Sequence, residues 1–365
     1  MLNNKTIAVV VPCYNEESQI GMVIESMPEF VDRIIIINDC SKDNTANVVM
    51  NYIQNDKSPK VEIKSKFTNI EQTKYNKADL VIINLQQKEN DYYPKTNVLN
   101  SSPETDRIIL INHLVNSGKG AGIVSGYKWA KDYNIDCIAS MDGDGQMDPG
   151  ELESICSPIV FEGIDYVKGN RLIHRSAWLV IPKVRYLGNS ILSMLTKVAS
   201  GYWHVSDTQT GYAAISNSAL NAIRIYDIYS SYGYPNDMLV KLNIAFCTLR
   251  EVEIKPVYDV GEQSKMRIFN VIPRISWLLF RSFFKRLWFK YLFRDFHPLF
   301  LLYHFAIATG LLSIPYLFKI LNAFVFGLDI GYSPLLAFFF LFATSFQSLL
   351  FAMWMDIQDN ERLYK

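Results

Sequence analysis

Residues 139–149 read Ala-Ser-Met-Asp142-Gly-Asp144-Gly-Gln146-Met-Asp148-Pro. An apolar run, Ile135 to Met141, leads into them. Asp142 and Asp144 therefore stand at what reads as a strand end, where an extended backbone projects positions i and i+2 to the same side. Two carboxylates so placed suit Mg2+ or Mn2+, hard ions that take one or two protein carboxylates and complete their shell with substrate phosphates. Gln146, two residues on, could add a neutral oxygen. The chemistry implied is the handling of a diphosphate. Asp and Gly are also the commonest turn residues, so taken alone the stretch equally fits an acidic turn.

Other segments point to the elements that position this pair. Ile7 to Val11 is an apolar run closed by Pro12-Cys-Tyr14-Asn-Glu16-Glu, followed by an amphipathic stretch from Ser18 to about Phe30 that reads as a helix. A second run, Arg33 to Ile37, ends in Asn38-Asp39-Cys-Ser-Lys-Asp-Asn-Thr45 and leads into a helical pattern from Ala46 to Gln54. Strand, polar loop and helix thus alternate twice, which predicts a parallel sheet with right-handed crossovers. Ligands of such sheets sit beyond the carboxyl ends of the strands, and all three polar loops fall on that edge.

The segments Val-Pro12-Cys-Tyr14-Asn-Glu16, Asn38-Asp39-Cys-Ser-Lys-Asp-Asn-Thr, Asn116-Ser-Gly118-Lys119-Gly120 and Met-Asp142-Gly-Asp144-Gly-Gln146 resemble, in order, the markers of family 2 glycosyltransferases with the GT-A fold. Within that family the chain looks most like the branch of dolichyl-phosphate mannose synthases and polyprenyl-phosphate glycosyltransferases. The resemblance covers residues 6–54 and 107–270, and a C-terminal membrane part matches the two-span members. It implies a GT-A catalytic domain over residues 1–270.

The resemblance also assigns roles. Breaking the bond between the anomeric carbon and the β-phosphate leaves a diphosphate with new negative charge, which a metal and nearby cations must stabilise. Asp144 and Gln146 are the metal-ligand candidates, with Asp142 holding the metal or the donor ribose. Asp39 matches the carboxylate that contacts the nucleotide base, and the Pro12, Tyr14 and Glu16 loop lines the same pocket; Asn38 stands where many relatives carry a second Asp. Lys119, at the start of a glycine-flanked helix, suits an anion through its charge and the helix dipole. Arg171, after the strand-like Val167-Lys-Gly-Asn170, matches the position near the acceptor phosphate, and Arg185 follows as a further cation suited to a lipid monophosphate. Asp207, in the segment Val205-Ser-Asp207-Thr-Gln-Thr-Gly211 that closes over the sugar, is the candidate general base for a hydroxyl acceptor, or an orienting group if the acceptor is an already ionised phosphate. Lys265 is assigned to the phosphates. The histidines share no ligand spacing and are left out of the mechanism.

Composition fits an enzyme with a membrane appendage. Lys+Arg and Asp+Glu both number 36, so no bulk charge argues for nucleic acid. The five cysteines are scattered and match a reduced cytosolic compartment, and no signal-type segment precedes the first strand. From Leu299 to Phe318, and again from Ser333 to Met355, no residue is charged. Crossing a bilayer takes roughly 20 apolar residues, so two spans are expected, about 297–319 and 333–355, the first interrupted by Gly310 and Pro315. Before them, residues 271–295 interleave aromatics with Arg281, Lys285, Arg286, Lys290 and Arg294 near helical spacing, which predicts an amphipathic helix with a cationic stripe on an anionic leaflet. No Lys or Arg lies between Leu321 and Tyr332, so both ends of the hairpin are expected on the cytosolic side, giving an integral membrane protein with its catalytic domain, both termini and a C-terminal tail in the cytosol.

Residues 55–106 depart from the pattern: a polar insertion read as a surface excursion at a sheet edge, with Ala78 to Asn84 a candidate strand. No Gly-x-x-x-x-Gly-Lys-Ser/Thr loop or Gly-x-Ser-x-Gly elbow is present, which argues against an ATPase or a serine hydrolase. The expected function is transfer of one sugar from a nucleoside diphosphate donor to a polyprenyl or dolichyl monophosphate, inverting and metal-dependent. Two alternatives stay open: an enzyme of the same fold acting on a glycolipid or glycan hydroxyl, and a non-catalytic membrane scaffold. Assembly into a homo-oligomer in the bilayer is compatible with the interfacial aromatics.

Overall fold

The computed structural model describes residues 1–63, 73–257 and 268–365, without the side chains of residues 184, 185 and 268–271. Strand β1 (Ile7–Cys13) pairs in parallel with β2 (Arg33–Asn38) through the short helix α1 (Ile20–Glu25), and α2 (Thr45–Asn55) follows β2. The helix read over Ser18 to Phe30 is shorter because Pro28 disfavours helical backbone before it. In the insertion, the segment read as a strand is instead helix α3 (Lys77–Glu89), with Asp79 in its first turn and Lys88 in its last and no side chain buried. Helix-forming Lys, Leu, Gln and Glu flank its aliphatic residues, and among the described residues no strand pairs with them. The insertion then adds β3 (Thr96–Val98), antiparallel to β4 (Ile108–His113), at the edge of the sheet.

Helix α4 (Lys119–Asp132) leads to β5 (Cys137–Ser140), which delivers the acidic loop, and α5 (Leu152–Glu162) returns to β6 (Tyr166–Asn170). Helices α6 (Ala177–Val180) and α7 (Lys183–Ser200) precede β7 (Ala213–Ser216), and α8 (Asn217–Ala222) and α9 (Tyr234–Ile244) precede β8 (Leu249–Glu253). The eight strands run in the order β3-β4-β2-β1-β5-β7-β6-β8, parallel except for β3 and β7. Residues Ile7 to Val11 are fully buried, as expected when helices cover both faces of a parallel sheet.

Helix α10 (Ile268–Trp288) continues as a π-helical turn, Phe289–Arg294, into α11 (Pro298–Phe326) and α12 (Tyr332–Glu361). Both long helices are apolar and long enough to cross a membrane by length and composition. They outrun the expected spans, because neither Gly310 nor Pro315 breaks α11. A Cβ at Gly310 would stand 2.9 Å from Ser345 Oγ, so the glycine lets the two helices approach closely.

The expected cationic stripe on residues 271–295 is corrected at two of its five positions. Trp277 and Phe280 face outward and Arg281 is exposed, but Arg286 and Lys290 are buried. Arg286 makes a two-point pair with Asp356 on α12 (2.7 and 2.8 Å) and donates to the Ala199 and Val198 carbonyls of α7. Lys290 reaches Asn243 and Asp359. A buried cation requires such partners, and α12 supplies them as it returns to the catalytic domain. The C-terminal segment is not a free tail either: Leu249 N–H donates to the Leu363 carbonyl (2.7 Å) and Lys365 N–H to that of Leu249 (2.9 Å), beside β8.

Candidate active site

A cleft of about 820 Å³ lies beyond the carboxyl ends of β1, β2 and β5. Pro12, Tyr14, Glu16, Asp39, Lys119, Asp142, Asp144, Gln146 and Arg171 all line it, so nine of the sequence candidates meet in one space. The loops after β1 and β2 are stitched together. Asn15 and Glu16 N–H groups donate to Ser41 and Thr45 hydroxyls (both 3.0 Å), and Lys42 and Asn44 N–H groups donate back to Asn15 and Glu17 (both 2.8 Å). Asn38 stays out of the cleft, its amide donating to Asn112 and accepting from Ser41 N–H.

Asp39 is held from three sides. His113 Nδ1 lies 2.7 Å from Oδ1, and Ser117 and Gly118 N–H groups donate to its two oxygens at 2.8 Å. Burial alone would raise its carboxyl, but these hydrogen bonds hold it below the ordinary value. Gly118 permits the loop with φ +93°, where an added Cβ would strike the Ser230 carbonyl at 2.7 Å. His113 in turn meets Ser125 Oγ at 2.9 Å. The histidine set aside in the sequence is thus the support of Asp39. The signal was its place at the end of β4, in register beside β2.

Lys119 opens α4 and points its ammonium at Asp142, 2.6 Å away. Asp144 accepts the Gln146 N–H (3.0 Å), and burial, with the Asp142 charge beside it, pushes its carboxyl above the ordinary range. Two crowded carboxylates are a fitting environment for a hard cation, while the unpartnered, buried Gln146 amide nitrogen is a donor that suits an anionic oxygen beside it. The protein supplies no closed cage: among the described residues no group of three or more His, Cys, Asp or Glu converges. Cys13 lies beneath this loop, and burial with Glu16, Asp142 and Asp144 around it keeps its thiol protonated.

Asp207 is corrected. It is fully buried behind the cleft wall, where Arg171 Nε and an Nη donate to its two oxygens at 2.8 and 3.1 Å. Burial would raise this carboxyl, yet Arg171 and Lys168 hold it below the usual range. A paired, hidden carboxylate is a positioning group, not a proton acceptor. Buried Lys168 and partly buried Glu251 complete the cluster, with Glu251 accepting the Ser206 and Asp207 N–H groups (3.0 and 3.1 Å). The Arg185 side chain and all of Lys265 lie outside the described residues. Asp237 accepts from Tyr229 N–H and Lys241 and serves α9 rather than the cleft. Tyr234 lines the cleft, and no spacing in the chain marks it.

The model for "Glycosyl transferase family 2" matches residues 8–69 and 70–224. A UDP-N-acetylglucosamine–dolichyl-phosphate N-acetylglucosaminyltransferase of Methanococcus voltae is 28% identical over 275 residues, 74% of this chain and 92% of that protein. A dolichyl-phosphate beta-glucosyltransferase of Trichomonas vaginalis is 23% identical over 300 residues, 77% of this chain and 74% of that protein. Among solved structures, glucosyl-3-phosphoglycerate synthase of Mycobacterium tuberculosis, with Mn2+ and UDP, superposes with a TM-score of 0.47 at 15% identity, covering 78% of this chain and 80% of that one.

Proposed function

The chain belongs to glycosyl transferase family 2, and from that premise we propose that it moves a single sugar from a nucleoside diphosphate donor to a polyprenyl or dolichyl monophosphate at the cytosolic membrane leaflet. The observation that carries this reading is that an acidic group with a lysine and a separate braced arginine share one cleft. Asp142 and Asp144 with Lys119, and Arg171 braced by Asp207, line the same space as two separate groups. The first group suits a departing diphosphate and the second an incoming phosphate monoester.

A lipid acceptor is supported by what borders the cleft. Helices α7 and α10 line it with Leu192 and Ile275, while their outer faces expose Leu187, Ile191 and Met194 on α7 and Trp277 and Phe280 on α10. A polyprenyl chain can rest on these apolar faces with its phosphate in the cleft. The two long apolar helices then serve as the anchor, with the catalytic domain at the leaflet surface. The Methanococcus and Trichomonas relatives, named for dolichyl-phosphate acceptors, support the same class.

Transfer proceeds by in-line attack of a phosphate oxygen on the anomeric carbon, with inversion: the new C1–O–P bond forms as the bond to the β-phosphate oxygen breaks. Asp142 and Asp144, with Gln146 beside them, are the residues that would hold Mg2+ or Mn2+. Such an ion neutralises charge developing on the leaving diphosphate. Lys119 adds a fixed positive charge on that side. Arg171 orients the acceptor phosphate, which is already ionised near neutral pH and needs no strong base, and so a paired Asp207 suffices.

Incubating membranes that contain the enzyme with labelled nucleotide sugars tests this. An acid-labile, mild-base-resistant polyprenyl-phosphate product is expected; a stable glycolipid, a polymer or no transfer would overturn the reading.

A further inference from the structure

Tyr234 is the first residue of α9, and its ring lines the cleft while its hydroxyl is buried without a hydrogen-bond partner. Buried phenols ordinarily find one. The residue is 4% exposed, and its position is fixed. Asn236, two residues on, accepts from Gln209 Nε2 (3.0 Å) and Thr196 Oγ1 (3.1 Å). Asp237 accepts the Tyr229 N–H at 2.9 Å. The first turn of α9 is therefore tied to α7 and to the loop before β7, and the phenol cannot readily swing to another partner.

Beside the hydroxyl is Gly211, whose missing side chain lets the phenol approach closely: a Cβ on that glycine would stand 2.5 Å from Tyr234 Oη and 3.7 Å from Asp142 Oδ1. The phenol therefore stands near the carboxylate on the diphosphate side, and the loop that carries Gly211 also carries Asp207, the partner of Arg171. The group that changes hands must lie between diphosphate and acceptor, and Tyr234 and Gly211 both line the cleft that holds them. Burial and the Asp142 charge keep the phenol protonated, so it has a proton to donate toward an oxygen.

We propose that Tyr234 Oη, held in place against Gly211, donates a hydrogen bond to an oxygen of the transferred sugar and so helps to select the donor's sugar. This rests on the glycosyl-transfer reading above. It separates two halves of donor recognition: Asp39 and the β1 loop hold the nucleotide, and Tyr234 reads the sugar.

The test uses the full-length enzyme in detergent and a panel of uridine- and guanosine-diphosphate sugars, from which the donor turned over by wild type is taken. Tyr234→Phe is expected to weaken that donor about tenfold in kcat/KM, the scale of one hydrogen bond. Affinity for the sugar-free nucleoside diphosphate and the melting temperature should not fall, because the variant only removes an unpaired buried hydroxyl. Gly211→Ala should weaken the sugar nucleotide likewise while leaving the free diphosphate bound. Unchanged kcat/KM in Tyr234→Phe, or equal losses for sugar nucleotide and free diphosphate, overturns the assignment while the transferase reading stands. A wild-type enzyme that turns over no member of the panel removes both.

Discussion

Lys119 Nζ lies 2.6 Å from Asp142 Oδ2, and the neighbouring Asp144 has no ion-pair partner among the described residues. Nature could have paired both acids; here one is neutralised internally and the other, crowded and half-buried, is left with a carboxyl raised by burial and by Asp142. A group whose folded value is raised stabilises the fold in its protonated form. That contribution is complete below the unfolded value and is lost as pH rises through the folded one, so at neutral pH the Asp144 charge costs stability.

Asp144→Asn should therefore melt no lower than wild type when no divalent ion is present. Its transfer rate should fall by about 10²- to 10³-fold, the scale seen when one transition-state electrostatic contact is removed. The stabilisation that uridine or guanosine diphosphate gives wild type in Mn2+ should vanish with it. Thermal melts with and without Mn2+ and nucleotide, set beside transfer rates, check all three; a variant that transfers at the wild-type rate would place the metal site elsewhere.

Arg171 is partly exposed while Asp207 behind it is fully buried, so the ion pair works as a bracket that aims the guanidinium into the cleft. Asp207→Asn keeps the shape but weakens the aim. KM for the polyprenyl phosphate should rise several-fold with donor KM unchanged, and Arg171→Lys, which loses the fork, should raise it more. Because Asp207 is held below the ordinary range, its contribution is present above the unfolded value and lost as pH falls through the folded one; the variant should lose part of the wild type's acid sensitivity. Steady-state kinetics with each substrate varied in turn, and melts from neutral pH downward, measure both.

How far the chain could be read follows from where its signals are local. The alternation of apolar run, polar loop and helical pattern announced the parallel sheet, and the acidic loop, Asp39 and Arg171 each sit at a strand end whose side follows from period two. His113 and Lys168 were passed over because their roles depend on strand register, which a single segment does not carry: His113 matters only once β4 lies beside β2. Arg286 and Lys290 misled for a related reason. Their spacing on α10 matches a lipid-facing stripe, and only the return of α12 with Asp356 reveals that these two of its five cations face inward while Arg281 and Arg294 stay exposed. In the insertion, Leu80 to Ile83 suits a strand, but the Lys, Gln and Glu around it favour a helix whose side chains stay unburied.

The Arg286–Asp356 pair, with both side chains fully buried, fastens the hairpin to the catalytic domain, and Tyr291 and Asn360 satisfy the remaining oxygen positions. Removing one partner leaves an uncompensated charge. Asp356→Ala should cost about 3–5 kcal/mol, whereas an Arg286→Met, Asp356→Leu double variant should recover much of that loss. Melting of detergent-solubilised protein decides; a single variant as stable as wild type would mean that the pair contributes nothing.

Lys168 gives the clearest dependence on pH. It is fully buried and donates to the Thr210 carbonyl, and burial pulls its amine down from 10.5 to about 8, with Asp207 and Glu251 opposing the shift. Between those two values the unfolded chain holds the proton and the folded chain gives it up, so stability must rise with pH across that window through this group. Below about 8 both states are protonated and the slope from Lys168 disappears. The gain amounts to at most about 3 kcal/mol, since each unit is worth about 1.4 kcal/mol. Lys168→Met removes the titrating amine while keeping an unbranched apolar stem. Subtracting its stability from that of wild type at each pH isolates the amine from the tyrosines and exposed lysines that titrate in the same range. The difference should be flat up to about pH 8 and then climb in favour of wild type; curves that stay parallel to pH 10 would show that the folded protein keeps the proton.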